Sequence, residues 1–291
     1  MRFRARLKTF SEVATSCKSF YERIFMIRGW YIGASGMNGE QNRLDAISNN
    51  LANVDTTGYK RDVRVSKSFS ELLLRRTNAD GVYETPFGSA DAAPIIGKLG
   101  LGIETNEQFT DFEQGSFKTT GTKTDFALGG KGFFTVQTPI GERYTRNGNF
   151  FIGKERILET KDGYPVMGEK GIITLENDRF TVREDGKIID EEGNEIDRLK
   201  IVRFDNERYL KKMGESLYNT NDIAGPAYIA EGNERPRVLQ EYVETSNVNV
   251  VNEMVRMIEV NRAYEANQKT IQSEDAMMET LWSRVALYQH G

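Results

Sequence analysis

Few residues in this chain have the types and spacing that chemistry needs. Gly129-Gly130-Lys131-Gly132 sets glycines around a lysine, the composition of a loop that can wrap a phosphate. Its spacing does not fit. A phosphate loop needs Gly-x-x-x-x-Gly-Lys-Ser/Thr opening into a helix N-terminus, whereas here Phe133-Phe134-Thr135-Val136 follows and reads as a strand. A β turn is expected instead. Asp185, Asp190, Glu191, Glu192 and Asp197 crowd one stretch, but without the alternating ligands and closing Glu of a calcium loop. Paired catalytic acids are defined by their separation in space, which spacing along the chain does not supply. A solvated acidic face is the simpler expectation. The single histidine, His290, precedes the last residue, and Cys17 is the only cysteine. That removes an internal disulfide, most metal sites and any mechanism built on a well-held imidazole. The chain is therefore expected to hold no catalytic, cofactor or metal site, and not to be an enzyme.

Composition points the same way. Of 291 residues, 28% are charged and 38% belong to the hydrophobic set, a polar balance for a compact body of this length. Part of the apolar surface is expected to be buried only against other chains. The net charge of −4 offers no basic face for nucleic acid, and no apolar run approaches the ~20 residues that cross a bilayer. The first 25 residues stand apart, with six Arg or Lys against two Glu, and lack the apolar core of a secretory signal. Residues 1–26 are read as a basic leader or as the product of a start codon placed too early. Met26, directly ahead of a more regular pattern, favours the second.

From 27 to 62 the text reads as a helix followed by a breaker. Met37, Leu44 and Leu51 recur every seven residues, with Ile47 and Val54 in the adjoining row, the spacing of an apolar stripe. The helix should end near Asn53, ahead of Asp55-Thr56-Thr57-Gly58, where Gly58 can take a positive φ. Residues 63–124 read as an extended connector, with a short helix possible over Phe69–Arg76. From 125 to 230 short strands alternate with Gly and Asn turns such as Asp162-Gly163, Asp185-Gly186 and Glu192-Gly193, which suggests an antiparallel sandwich or open barrel. Strands are expected at 126–128, 133–136, 144–146, 172–175, 179–182, 187–189 and 199–204. A return connector spans 231–245.

From 246 to 291 the text is helical again, with Ser246 and Asn247 suited to the N-cap. Val250, Met257, Tyr264, Ile271, Met278 and Val285 step by seven without a miss. The companion row Met254, Asn261, Gln268, Asp275 and Trp282 is apolar only at its ends, so the seam is only half apolar and should need several neighbours. The fold class is α+β: long N- and C-terminal helices pairing as a coiled-coil-like domain, with an antiparallel β-rich domain inserted between them.

Two long blocks carry a resemblance. Ala34-Ser35-Gly36-Met37, Gln41 through Val54 and Asp55-Thr56-Thr57-Gly58-Tyr59-Lys60 resemble the opening signature of the flagellar rod and hook protein family. Ser246 through Val255 and Asn261-Arg262-Ala263-Tyr264-Glu265-Ala266-Asn267-Gln268-Lys269 are similar to its closing signature. Asp125 to Leu128, Gly132-Phe133-Phe134, Tyr144 to Gly148 and Gly163 to Gly168 fit its β pattern. Within the family the chain looks most like the proximal rod type (FlgF-type), with the distal rod type (FlgG-type) next.

The resemblance implies a structural subunit of the basal-body rod that polymerises through its terminal helices, transmits torque and lines an axial export channel. Its partners would be copies of itself, other rod subunits and the flagellar type III export apparatus, with no nucleic acid and no membrane insertion. It would act in the periplasmic part of the flagellum after export without a cleaved signal. The expected assembly interface is Met37, Leu44, Ile47, Asn49, Asn50, Leu51, Asn53, Met254, Met257, Ile258, Tyr264, Ile271 and Met278. The amides of Asn49, Asn50 and Asn53 serve equally as ordinary helix termination. A hook-type subunit, a wall-active periplasmic enzyme and a monomeric binding module are the alternatives.

Overall fold

A computed structural model of the chain describes residues 10–75, 82–85, 88–91, 95–175, 179–214, 216–230, 232 and 235–288. A long helix stands near each end, with strands between. Helix α1 runs Phe10–Ala52 and α2 Val250–Tyr288. The strands are β1 Asp62–Arg75, β2 Val82–Thr85, β3 Gly88–Asp91, β4 Ile95–Thr110, β5 Phe117–Thr119, β6 Phe126–Gly129, β7 Phe133–Thr138, β8 Gly141–Thr145, β9 Phe150–Ile152 and β10 Leu158–Thr160. They continue as β11 Phe180–Val182, β12 Lys187–Asp190, β13 Glu195–Arg198, β14 Ile201–Arg203, β15 Lys211–Lys212, β16 Leu217–Asn219, β17 Tyr228–Ile229, β18 Arg237–Gln240 and β19 Tyr242–Glu244.

Helix α1 ends one residue before Asn53, where the turn formers cluster, but begins at Phe10 and not at 27. Residues 10–28 contain neither glycine nor proline, so nothing in them interrupts the helical ladder. The short helix expected over Phe69–Arg76 is not formed. Those residues up to Arg75 extend β1, which pairs with β4. A helix of two turns is marginal alone, and a partner strand satisfies the same backbone groups along its whole length. The strand expected at 172–175 is reduced to two isolated bridges, Ile172 with Met167 and Thr174 with Ile157.

The chain divides into two compact units. One comprises Met1–Asp45, Arg64–Glu107 and Met257–Gly291; the other comprises Ala46–Val63 and Gln108–Arg256. In the first, α1 meets α2 along a row of glycines. A Cβ on Gly33 would lie 2.8 Å from Ile271 Cγ1 and one on Gly36 2.9 Å from Asn267 Nδ2, and one on Gly29 would run into the Glu274 carboxylate. Rising α1 positions face falling α2 positions, so the two helices run antiparallel here. Glycine lets them approach where any side chain would hold them apart. A neighbouring face of α1 takes the β1–β4 ribbon. The Ile103 amide donates to Ser35 Oγ at 3.3 Å, Asn42 Nδ2 to Thr105 Oγ1 at 3.3 Å, and Arg64 Nη1 to the Asn42 carbonyl at 2.8 Å.

The second unit is built on antiparallel pairs. Its largest sheet has six strands in the order β15-β16-β8-β7-β14-β17. A three-stranded sheet β11-β12-β13 and the ribbons β9–β10, β6–β18 and β5–β19 surround it. Several small sheets thus stand where one sandwich or barrel was expected. Strand β7 explains why. Phe133 packs in a core with Tyr144, Phe204 and Tyr218, while Phe134 and Val136 pack in another with Phe126, Phe150 and Leu199. With both faces buried, the strand reads as a continuous apolar run in place of an alternating one. The Gly129–Gly132 segment is the bend that joins β6 to β7, as its spacing indicated.

Strand β9 tests this register with two adjacent phenylalanines, Phe150 at 1% exposure and Phe151 at 50%. Phe150→Ala is expected to cost about 3–5 kcal/mol of unfolding free energy and Phe151→Ala within about 0.5 kcal/mol of nothing. Urea titration of the two variants, followed by intrinsic fluorescence, measures both; equal losses would mean that the strand is turned the other way.

Candidate functional site

No group of three or more His, Cys, Asp or Glu among the described residues is placed to hold a metal. The acidic residues of 185–197 disperse. Asp185 accepts from the Lys187 amide at 3.2 Å, Glu191 pairs with Arg179 at 3.3 Å, and Asp197 is buried, accepting from the Lys170 and Arg198 amides. No helix among the described residues is long and apolar enough to cross a membrane. Buried polar groups concentrate instead in the second unit, where the chain leaves α1 and where it returns to enter α2.

The exit is made by the turn after α1. Gly58 takes a φ of +66°, and its amide donates to the Glu244 carbonyl at 2.8 Å. A Cβ there would come within 2.5 Å of the Asn147 amide nitrogen, so both conformation and space require glycine. Asn50, 2% exposed, reaches back across this turn. Its Nδ2 donates to the Asp62 carbonyl and its Oδ1 accepts from the Asp62 amide, both at 2.9 Å, as a strand neighbour would. Tyr59 Oη donates to the same Oδ1 at 3.1 Å. Burial and the nearby Asp62 and Glu253 carboxylates push the Tyr59 phenol well above its ordinary value. The Asp62 carboxylate accepts from Thr110 Oγ1 at 2.9 Å and pairs with Lys212 at 3.2 Å. The Lys212 ammonium sits 3.7 Å from the centre of the Tyr59 ring, a favourable cation–π placement.

One step further in lies Lys60, fully buried. Its ammonium donates to the Glu113 carbonyl at 2.7 Å and to Glu244 Oε1. Glu244, itself 1% exposed, also accepts from the Gly115 amide at 3.0 Å and approaches Arg146 Nη1 at 3.5 Å. Arg146 donates to the Gly130 carbonyl at 2.8 Å and lies over the Phe133 ring. Two buried cations therefore share one carboxylate. Burial lowers the pKa of Lys60 and of Arg146, with Glu244 pulling both back up. In both cations the burial effect exceeds the attraction.

The return is equally constrained. Asn247 Oδ1 accepts from the Arg61 amide at 2.8 Å, and its Nδ2 donates to the Asp111 carbonyl at 2.8 Å. Ser246 Oγ accepts from the Val248 amide at 3.2 Å. Neither residue caps α2, as had been expected of them. The cap is Asn249, whose Oδ1 accepts from the Asn252 amide at 3.1 Å. The two earlier side chains are committed to the strand junction, so the helix begins after them. Glu253, in the first turn and 1% exposed, pairs with Arg256 at 2.8 Å and stands 3.8 Å from Arg61. A carboxylate there also complements the positive end of the helix.

The expected interface residues divide. Ile47 and Asn50 are buried, and Met37, Leu44, Leu51 and Asn53 are half-buried. Asn49 is exposed and accepts from Asn53 Nδ2 at 2.7 Å. Met257, Tyr264, Ile271 and Met278 are half-buried, and Ile271 is the residue packed against Gly33. Met254 and Ile258 are exposed, at 48% and 54%. Lys60, Arg61, Arg146, Glu244 and Glu253 had not been singled out. Lys60 and Arg61 stand at the end of the first terminal block and Glu244 and Glu253 around the start of the second, whereas Arg146 lies in the β-rich middle, just after β8.

Comparison with known proteins accounts for both blocks. Residues 31–60 match the family model described as flagella basal body rod protein, and residues 239–283 match the C-terminal model of the flagellar basal body rod FlgEFG proteins. Residues 127–190 match the flagellar hook protein FlgE/F/G D1 domain. The chain is 34% identical to the flagellar basal-body rod protein FlgG of Buchnera aphidicola (subspecies Schizaphis graminum) over 88% of this chain and 99% of the relative. It is 35% identical to that of Borreliella burgdorferi over 87% and 97%. The flagellar hook-basal body complex protein FlhO of Bacillus subtilis is 33% identical over 87% and 97%. These relatives favour the second of the two rod types that the sequence resembles.

The shared carboxylate sets an order of mutational costs. Glu244→Gln leaves two cations buried against each other and is expected to cost about 3–5 kcal/mol. Lys60→Met leaves a one-to-one Arg146–Glu244 pair and should cost clearly less. Guanidinium unfolding of the two variants decides it, and a larger loss for Lys60→Met would refute the two-to-one charge count.

Proposed function

The chain belongs to the flagellar basal-body rod and hook protein family, and on that premise we propose that it is a structural subunit of the rod, of the FlgG type. It polymerises with copies of itself and with other rod subunits through its terminal helices. In this reading it transmits torque, forms part of the wall of the axial export channel, and reaches the periplasmic segment of the flagellum through the type III export apparatus without a cleaved signal. Its role is mechanical and no reaction is assigned to it.

One observation supports the helices as the polymerising element. Val251, Met254, Val255 and Ile258 follow i, i+3, i+4 and i+7 spacing on α2 and are 48–68% exposed. This is an amphipathic face turned outward, on the side away from the half-buried row of Met257, Tyr264, Ile271 and Met278. Of the expected interface we assign Met254 and Ile258 to contacts between subunits, and the half-buried row to pairing of α2 with α1 within a subunit. Each fully buried side chain of this kind contributes ~1.5–3 kcal/mol, so four of them on each copy are a substantial drive to assembly. Long helices also spread an axial or torsional load over many small packing contacts.

Purified hook-basal bodies should contain this chain in fixed stoichiometry, detected by mass spectrometry. Met254→Asp combined with Ile258→Asp should leave the β-rich unit folded, with an unchanged thermal transition, and abolish incorporation and motility. Normal rods built from that variant would remove α2's outer face from the interface. Absence of the unaltered chain from basal bodies would remove the rod assignment itself.

A further inference from the structure

The β7–β8 hairpin turns through Pro139 and Ile140. Ile140 is the most exposed large hydrophobic side chain among the described residues, at 78%. Two-residue hairpin turns ordinarily take Asn-Gly or Gly-x, and Pro-Ile meets neither the turn chemistry nor the rule of burial. The tip is nonetheless stiff. Proline fixes one torsion, Thr138 Oγ1 donates to the Gly141 carbonyl at 2.7 Å, and the strands stay in register from Phe134–Thr145 to Thr138–Gly141. An apolar side chain held rigidly in water is costly for a lone molecule and well prepared for contact, because little freedom remains to be lost on binding.

At the other end of β7 lies a groove of about 570 Å³. Phe109, Phe112 and Phe204 line it, with Lys131, Asp205 and Arg208 among the polar residues beside them. Arg208 stacks on the Phe109 ring at 3.7 Å, and Phe112 is fixed edge-on against Phe133 and Tyr218, at 5.3 and 5.1 Å. Lys131 precedes the first residue of β7 and Ile140 follows its last. Strand β14, paired to the start of β7, continues into the segment 204–208 that forms the groove's wall. Knob and groove thus terminate the same six-residue strand, about 20 Å apart at ~3.3 Å per residue.

We infer that this groove receives the Pro139-Ile140 turn of a second copy of this chain, so that the β-rich units contact one another head to tail in addition to the helices. The occupant follows from the arrangement. A knob and a groove at opposite ends of one strand meet when a copy is displaced along that strand. Such a contact is heterologous, so it propagates into an open filament unless its rotation closes a ring. A mixed-sign rim around an aromatic floor also suits a partner with an apolar tip, since the charges set orientation while the rings supply the buried area. The inference rests on the rod reading for the supply of second copies, but assigns a contact that the helices do not provide.

The test uses Ile140→Cys with Asp205→Cys in a Cys17→Ser background, which removes the chain's only native cysteine. The variant is co-expressed with the unaltered chain, basal bodies are purified and oxidised, and the products are separated by non-reducing electrophoresis. Within one chain the two cysteines stand at opposite ends of β7, too far apart to bridge. The expected result is a ladder of cross-linked copies with the double variant and none with either single cysteine. Incorporation without a ladder, or a cross-link to a different protein, overturns the head-to-tail contact while leaving the rod reading intact. If the double variant is excluded from rods, Ile140→Cys alone is coupled through a short maleimide–succinimide linker. Linkage to Lys131 of another copy supports the contact and its absence overturns it. Absence of the unaltered chain from basal bodies fails the rod reading instead.

Discussion

Glu244 is a single buried carboxylate shared by two buried cations, and the path of the chain depends on it. Lys60 lies 184 residues before it, at the exit from α1. Arg146 comes from the end of β8, and Glu244 closes β19 just ahead of α2. Bringing such distant segments together loses loop entropy whatever holds them. Apolar packing would offset that loss, but it would permit many alignments of two chain ends. A buried ion set is a weak source of net stability and a strict source of geometry, since any slip leaves a charge unpaired in a medium that penalises it. Here it fixes where the last turn of α1 stops and where the first turn of α2 starts. Asn50 and Asn247 add amide pairings on either side. Side chains thus supply partners at the junction for the backbone groups of Arg61, Asp62 and Asp111, where the strands begin and end.

This junction was hard to read from the sequence for a physical reason. Lysine, arginine and glutamate are ordinarily found in water, so Lys60, Arg146 and Glu244 give no periodic signal that would single them out. The glycine row on α1 is silent in the same way. Hydrophobic periodicity registers side chains that fill space, and Gly29, Gly33 and Gly36 matter because they leave space for Glu274, Ile271 and Asn267. What was legible had long repeats or long apolar runs: the heptad steps of both helices, the end of α1 at its turn formers, and the strand at Phe133-Phe134-Thr135-Val136. Strands of two or three residues, such as β15 and β17, are too short to display an alternation and exist only because a neighbour completes their ladder. The misplacement of the α2 cap has the same cause: Ser246 and Asn247 have capping chemistry, but the neighbouring strands use it first.

Strand β7 is the second point of organisation. With β14 and β16 of the same sheet, it places side chains in both hydrophobic cores, so it cannot tilt or slide without disturbing both. Its ends are then as fixed as its middle, and whatever they present, the Pro139-Ile140 turn at one and the aromatic groove at the other, is presented at constant separation and orientation. Arg146 ties this strand to the junction as well, since its guanidinium lies over Phe133 while its Nη1 approaches Glu244. Ring and carboxylate on one arginine couple the core of the sheet to the exit and entry of the chain.

Helix α2 shows how one sequence element can serve two kinds of contact. Its step-seven row is half-buried from Val250 to Met278, and Ile271 of that row meets Gly33 on α1, so within a subunit it needs modest side chains and close approach. The face with Val251, Met254, Val255 and Ile258 is fully apolar in type and open to water. A helix whose apolar residues all served internal packing would show one stripe, and a purely soluble one would show a polar opposite side. Two apolar faces separated by polar rows leave the isolated subunit with surface that only a neighbour removes from water. The half-polar companion row noted in the sequence is therefore not a weakness of the seam. Met254 belongs to that row and to the outer face, and the exposed Asn261 and Gln268 that continue the row bound the apolar patch of 251–258, so that the surface left for a neighbour is confined to the first turns of α2.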